Sequence, residues 1–228
     1  MASSIVKRFF GSPWIRKILP AFGLALLVGK QVAPTADAQA PGLGLRLDEP
    51  RIPPLAKSGW NEAQREILEP FERNGRAWNV FTTMAQHPDL CRDWLVFGGH
   101  ILNRSTLPAR DRELLILRTG VVCNAEYEWA QHTRIGKAAG ITDEEIARII
   151  EGPDAQGWSV LDRNLLRAAD ELNADAFITD ATWNALADHY SKEQMMDVVF
   201  TVGQYHLVSM ALNSFGVQLD EGLEGFPK

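Results

Sequence analysis

The stretch ELLILRTGVVCNAEYEWAQH, residues 113–132, decides the fold class of this chain. Its first half, residues 113–122, is apolar enough for a buried strand or a buried helix, and composition alone does not separate the two. Its neighbours are helix formers, however, and no alternating partner strand occurs elsewhere in the sequence. The stretch therefore predicts a buried helix in an all-α protein, followed by a second helix that carries the polar residues.

Helical patterns continue on both sides of this stretch. Proline, glycine and capping residues mark their ends, and Thr142 with Glu145 has the spacing of a capping box. The segment 192–215 is apolar nearly all round, which is typical of a helix buried in a bundle or a subunit interface. The predicted helices span residues 61–74, 78–86, 88–102, 108–122, 125–139, 142–152, 160–174, 180–190 and 192–215.

The first 40 residues differ from the rest of the chain. They combine five basic residues, one acid and the apolar run ILPAFGLALLVG, residues 18–29, followed by the small-x-small pattern Ala38-Gln39-Ala40. This pattern is typical of a secretory signal that is cleaved before Pro41. We therefore divide the chain into a leader (1–40), an extended Pro/Gly-rich arm or linker (41–59) and a helical domain (60–228), and we expect export to the periplasm or medium. The alternatives are an uncleaved leader that anchors the protein to a membrane and an organelle transit peptide.

The net charge limits the partners of the domain. The whole chain carries −6, and the leader contributes five positive charges and one negative charge, so residues 41–228 carry −10. An acidic domain without a Lys/Arg cluster repels nucleic acid and anionic membrane surfaces. We therefore expect neither nucleic-acid binding nor stable membrane insertion once the leader is cleaved.

The second half of the opening stretch carries a polar face. Residues four apart lie on one side of a helix, so Glu128 and His132 share a line, whereas Glu126 lies well round from it. A glutamate one turn before a histidine can orient the imidazole and raise its pKa, which makes a workable acid/base pair. A solvated surface pair with little energetic effect is the competing interpretation.

The other histidines and the cysteines give weaker signals. His87 and His189 are expected at the surface, His100 and His206 in apolar helices, and no HxxxH or HExxH pattern predicts a metal site. The two cysteines, Cys91 and Cys123, form no CxxC pair. Both a disulfide in an exported protein and two separate buried thiols remain open.

Residues 105–149, STLPARDRELLILRTGVVCNAEYEWAQHTRIGKAAGITDEEIARI, resemble the carboxymuconolactone decarboxylase family, whose relatives include the alkylhydroperoxidase-D-like proteins. The similarity extends through MAQHPDL before them and through LLRAADEL and ATWNAL after them, and it covers most of residues 76–216. It implies an alkylhydroperoxidase-D-like helical bundle assembled as a homotrimer or hexamer, with sites near the subunit contacts. Gln204 or His206 is then a candidate to complete a neighbour's pocket.

The resemblance also assigns roles to single positions. Redox members of the family carry a glutamate followed twelve residues later by a CxxCxxxH motif, and here Glu113 and His132 match the glutamate and the histidine. Ala125 and Glu128 occupy the two cysteine positions, so the resemblance implies no route to a thiol peroxidase reaction. What remains is a set of proton-transfer groups: Glu113, Glu128 and His132.

The decarboxylase branch of the family is similar to this arrangement, and its chemistry needs a proton donor but no metal or organic cofactor. We therefore expect a cofactor-independent lyase or isomerase that acts on a small carboxylated lactone or enol-type compound. Arg134 and Arg118 are candidates to hold the substrate carboxylate, although either can be a surface charge, and Tyr127 and Trp129 are candidates to wall the pocket.

Two rival interpretations remain. The first is an antioxidant protein of peroxiredoxin type with degenerate cysteines that uses Cys123 or Cys91 singly. The second is a non-catalytic helical oligomer that binds a small ligand. All versions predict self-association, because residues 195–216 offer more apolar surface than one small domain can cover.

Overall fold

The structure, a computed structural model, describes residues 42–72 and 77–227. In these two ranges the regular elements are nine α-helices and two short 3-10 turns, without a strand, and the all-α prediction is confirmed. The predicted leader, residues 1–40, lies outside the described residues. The helices are α1 (Glu62–Leu68), α2 (Asn79–Met84), α3 (Pro88–Asn103), α4 (Ala109–Val122), α5 (Glu126–Ala138), α6 (Asp143–Glu151), α7 (Val160–Asp175), α8 (Asp180–Ala187) and α9 (Lys192–Phe215).

Helix α4 is the centre of the bundle. It packs against α5, α6, α7 and α9, and its residues 114–117 are completely buried. Burial of each such Leu or Ile side chain contributes about 1.5–3 kcal/mol, so this run alone stabilises the fold substantially. The elements that pack around residues 113–122 are all helices. This explains why the apolar run forms a buried helix and not a strand.

Side-chain caps fix where several helices begin. Thr142 accepts from the Glu145 backbone N–H, and the Glu145 carboxylate accepts from the Thr142 N–H, as the sequence predicts. The same reciprocal pair begins α9 at Ser191 with Gln194. Such a box satisfies two backbone N–H groups that the first helical turn cannot pair, and so it sets the register of each helix.

The first helix is shorter than predicted. We expect it to reach Asn74, but α1 ends at Leu68 and continues only as a 3-10 turn, Glu69–Phe71. Pro70 has no backbone N–H to donate to the carbonyl four residues earlier, so the α-helical hydrogen bonds do not continue through it, although Glu69 itself is still in the α conformation. The predicted end at Asn74 and Gly75 lies outside the described residues.

The segments at both ends of the described chain lie against the helices. In the predicted arm, residues 42–56 form no helix or strand and contain several bends, and a 3-10 turn follows at Lys57–Gly59. The backbone N–H groups of Arg51 and Ile52 donate to the carbonyl of Phe215 at the end of α9. The C-terminal tail, residues 217–227, runs along α5: the Phe226 ring stacks on Trp129 at 5.0 Å and is buried. The Asp220 carboxylate in this tail accepts hydrogen bonds from the Tyr127 hydroxyl and from the Asn79 backbone N–H.

Helix α9 is not covered on all sides. One face is buried, but an apolar stripe along the other is solvent-exposed in the single chain. The stripe consists of Met196, Phe200, Leu207 and Met210. Among the described residues, no helix has both the length and the apolar character needed to cross a membrane.

Candidate functional site

The imidazole of His132 lies between two carboxylates. Its Nδ1 is 2.6 Å from Glu113 Oε2, and its Nε2 is 3.0 Å from Glu128 Oε1. His132 and Glu128 are each only 5% exposed, and Glu113 is fully buried. The surface-pair interpretation of Glu128 and His132 is therefore wrong, and the three predicted catalytic residues form one buried cluster.

Two neighbouring helices and a tight turn bring these residues together. Glu113 begins the apolar run of α4, and Glu128 and His132 are one turn apart on α5. In the turn, Asn124 adopts φ 46°, a left-handed conformation that asparagine tolerates better than most residues. Gly136 lets α5 approach α4 closely, since a Cβ there would lie 3.2 Å from the Leu117 side chain and 3.7 Å from the Cβ of Glu113.

The carboxylates decide the protonation state of the histidine. Burial by itself lowers the pKa of an imidazole, but the charges and hydrogen bonds of Glu113 and Glu128 outweigh it and raise the pKa of His132 to about 9. At neutral pH the ring is therefore an imidazolium that donates from both nitrogens, one to each carboxylate. Burial likewise raises the pKa of Glu113, yet His132 and Arg112 outweigh this effect and keep the pKa below its ordinary value.

Arg112 is a member of the cluster that the sequence did not reveal. Its Nη2 and Nε donate to Glu113 Oε1 at 3.0 and 3.2 Å, which leaves Oε2 for His132. Adjacent residues on a helix point in different directions, so spacing gives no signal for this contact. Two cations and two carboxylates thus balance, and the burial of four charged groups becomes tolerable.

A cavity of about 290 Å³ opens beside the cluster. Glu128 and His132 line it directly, whereas Glu113 does not, so Glu128 is the carboxylate that can meet a ligand. Tyr205 of α9 lines it as well and places its ring edge-on to the imidazole, with 4.9 Å between the ring centroids. The walls are largely aromatic and include Phe71, Trp78, Phe81, Trp94, Tyr127 and Tyr205.

The proposed substrate-binding residues take different positions. Arg134 lines the cavity, with its guanidinium 5.4 Å from the centroid of the Trp78 ring. Tyr127 also lines it, but its hydroxyl donates to Asp220 at 2.5 Å and accepts from the Val80 N–H, so this hydroxyl fixes the wall. Arg118 lies elsewhere and forms a two-pronged pair with Asp170 at 2.5 and 2.9 Å.

Trp129 does not reach the cavity. It is 2% exposed, belongs to the main hydrophobic core and stacks on Phe226. Tyr127, two residues earlier, lies about 200° from Trp129 around α5, and it therefore faces the cavity. The structure therefore brings only one of the two predicted wall aromatics to the site.

The two cysteine side chains do not line the cavity. Cys91 and Cys123 are both free, and burial raises the pKa of each thiol to about 11. Cys123 Sγ lies 3.4 Å from His206 Nδ1, and neither residue lines the cavity. Ala125, at one of the two cysteine positions of the redox relatives, is completely buried and precedes α5.

The remaining predictions concern histidines, a neighbour's pocket and metal ions. The His100 side chain is 45% exposed and lies 3.7 Å from Asp197, so it is not a core residue. Gln204 lines the cavity of its own chain. Within residues 42–72 and 77–227, no group of three or more His, Cys, Asp or Glu side chains is arranged to hold a metal ion.

Comparisons with known proteins agree with this architecture. Residues 88–171 match the carboxymuconolactone decarboxylase family, and the family resemblance of the sequence is confirmed over that range. No curated protein matches the chain.

Several solved structures share the fold. An uncharacterised peroxidase-related protein from Ralstonia eutropha JMP134, described as an alkylhydroperoxidase AhpD core, has a TM-score of 0.66 at 20% identity and covers 75% of this chain and 93% of its own. A peroxidase-related protein from Silicibacter sp. TM1040 gives 0.64 at 14% identity, covering 81% and 96%. The debrominase Bmp8 gives 0.63 at 16% identity, covering 75% and 92%. These similarities show an AhpD-like fold.

Proposed function

We propose that this protein is a cofactor-independent proton-transfer enzyme, a lyase or isomerase that acts on a small carboxylated lactone or enol-type compound. The observation that carries the proposal is the His132 imidazolium, buried between Glu113 and Glu128 at the wall of a cavity. The match of residues 88–171 to the carboxymuconolactone decarboxylase family supports the same class of reaction.

The three residues divide the work in this proposal. Glu128 faces the cavity and exchanges the proton with the substrate, and His132 supplies or receives that proton through Nε2. Glu113, held by Arg112, fixes the ring through Nδ1 and stabilises its positive charge. A positioned group of this kind contributes about 10²–10⁴-fold to a rate.

For a decarboxylation the balance is simple. The bond between the carboxylate carbon and the ring breaks, and its electron pair enters a conjugated carbonyl system to give an enolate. The enolate carbon then takes a proton that passes from His132 through the Glu128 carboxyl group. A proton from solvent restores the imidazolium, and the net products are CO₂ and the protonated ring compound. An isomerase would use the same residues to remove and return one proton.

A thiol peroxidase is not favoured by these positions. The peroxidase-related names of structural neighbours describe those proteins, and the debrominase has been crystallised with 2,3,4-tribromopyrrole. In this chain a carboxylate, Glu128, stands where a redox relative has a cysteine. The thiols of Cys91 and Cys123 are separated in the fold and protonated at neutral pH.

Self-association and export complete the proposal. The exposed apolar stripe of α9 supports a homotrimer or hexamer in which a second copy covers it. The basic, apolar and small-residue pattern of residues 1–40 supports export, so the substrate would be met outside the cytoplasm.

The test is turnover of a panel of carboxylated lactones and enol acids by the purified protein. His132→Gln should lower kcat by about 10²–10⁴-fold, because the amide cannot carry the transferred proton. His189→Gln is the matched control, since His189 is exposed and outside the cavity. In D₂O, the product should gain one deuterium at the protonated carbon. Turnover by His132→Gln at the wild-type rate would end the assignment.

A further inference from the structure

We infer that the cavity selects a planar, unsaturated ring compound with a single carboxylate, bound at Arg134, and an oxygen substituent, bound at Gln204. This inference rests on the proposed function for its reaction, but it concerns binding and is tested by binding. It narrows the substrate class in three respects: shape, number of charges and position of a polar group.

The charges of the cavity wall limit how many carboxylates a ligand can carry. Arg134 is the one Lys or Arg among the described residues that line the cavity. Its contacts are the face of Trp78 and one long hydrogen bond, 3.4 Å, to Gln131 Oε1. Because a guanidinium has five N–H donors in a planar fork, most of them remain available to a ligand carboxylate.

A second carboxylate on the ligand would find no cation among the wall residues that the structure describes. Apart from Arg134, the charged groups in the described part of the wall are His132, whose two N–H groups are both engaged, and Glu128, which repels an anion. A dianion would therefore lose hydration at its second carboxylate without a compensating cation. The wall favours a monoanion.

The shape of the cavity favours a flat ring. Its volume of about 290 Å³ lies at the lower end for ligand pockets, so it fits a compound of one or two rings. Trp78, Trp94 and Tyr205 line it from three separate segments. Aromatic walls gain most from a planar π-system, through offset-stacked or edge-on contacts.

Gln204 supplies an unused hydrogen-bonding group. It is 3% exposed, and its Oε1 has no hydrogen-bond partner. A Cβ at Gly98 would lie 3.4 Å from Gln204 Nε2, so the glycine leaves room for the amide in this wall. A buried amide oxygen without a partner is costly, and a ligand hydroxyl that donates to it would satisfy it.

The test uses hydroxybenzoates as planar probes. Isothermal titration should show that the better of 3- and 4-hydroxybenzoate binds at least tenfold more tightly than the matching hydroxybenzamide and than terephthalate. Arg134→Gln should weaken binding of the acid at least tenfold and leave binding of the amide unchanged. Arg65→Gln, on the exposed surface of α1 and away from the cavity, should change neither.

Gln204→Leu separates recognition from structure. It should weaken binding of hydroxybenzoate but not of benzoate, and it should raise Tm by about 2–4 °C because a buried amide oxygen without a partner is removed. A fall in Tm with unchanged selectivity would overturn the role of Gln204. Equal binding of acid and amide, tighter binding of terephthalate, or no binding of any probe at millimolar concentration would overturn the substrate class. Binding of the hydroxybenzoates without turnover of any carboxylated lactone or enol acid would instead contradict the proposed function. Turnover of a non-planar diacid would contradict only this inference.

Discussion

Helix α4 carries two networks of charged groups on opposite sides. Towards α6 and α7, Arg118 forms a two-pronged pair with Asp170 and also donates to the carbonyls of Ile149 and Ile150. Towards α5, Arg112 and Glu113 pair with each other and with His132. Both networks are well hydrogen-bonded, and the Arg118–Asp170 pair is partly buried, yet only the second network reaches a cavity.

The difference lies in which group can release a proton. A guanidinium stays charged at any pH that a folded protein experiences, so the Arg118 pair only fastens three helices together. An imidazole with a pKa near 9 releases its proton with modest cost, and Glu128 connects it to the cavity. A buried charge cluster is therefore a candidate site only where a titratable member has access to a ligand.

The largest loss of stability is expected in the Arg118–Asp170 network, which takes no part in the proposed reaction. Arg118→Met leaves Asp170 without its partner in a partly buried position, and the free energy of unfolding should fall by about 3–5 kcal/mol. Urea unfolding measures this change. Adding Asp170→Leu should recover most of the loss, because replacing both partners by apolar groups is often close to neutral. Unchanged stability in the single variant would contradict the contrast between the two networks.

The His132 network should instead make stability depend on pH. Its pKa is raised from 6.5 to about 9 on folding, so its contribution is fully present below pH 6.5 and is lost as the pH rises through 9. The corresponding loss is about 3 kcal/mol, and it should be absent from His132→Gln. Denaturation at a series of pH values from 5 to 10 measures it.

The close approach of α5 to α4 can be tested at its glycines. Gly136→Ala would place a Cβ 3.2 Å from the Leu117 and Ile141 side chains and displace α5 near Glu113. We expect a loss of about 1–2 kcal/mol and lower turnover per folded molecule. Gly120→Ala on α4 is the matched control, since its nearest contact is an ordinary 3.6 Å; helix propensity should stabilise it by up to about 1 kcal/mol. Equal effects of the two variants would contradict the packing argument.

The smallest effect should come from a third polar pair, Cys123 and His206. Because burial raises the pKa of the thiol to about 11, Cys123→Ala or alkylation of both cysteines should leave turnover unchanged. The peroxide consumption of the wild-type protein should equal that of the doubly alkylated protein. Loss of turnover after alkylation would revive the antioxidant interpretation.

Much of the fold could be predicted from the sequence, because periodicity, proline and capping residues act locally. The Thr142 box and the helical state of residues 113–122 are examples. The i,i+4 spacing placed Glu128 beside His132, since both lie on one helix. Glu113, nineteen residues before the histidine, could be identified only through the family resemblance, because its contact with His132 depends on how two helices pack.

The remaining features of the site depend on tertiary packing. The sequence around Glu128 does not indicate which of its two aromatic neighbours faces the core. In the structure Trp129 stacks on Phe226 of the C-terminal tail, and Tyr127 faces the cavity. The family resemblance named Gln204 only as a candidate for a neighbour's pocket, whereas the packing of α9 places it in the cavity of its own chain. Arg112 and the aromatic walls come together from segments far apart in the chain, where spacing carries no information.

The tail contact at Asp220 has a practical consequence. Its carboxylate holds the Tyr127 hydroxyl and the first turn of α2, so part of the cavity wall depends on residues outside the helical bundle. A protease that trimmed the last ten residues would leave every wall residue in place and still loosen the wall. Preparations of differing activity should therefore be compared by intact mass before any difference is ascribed to the catalytic groups.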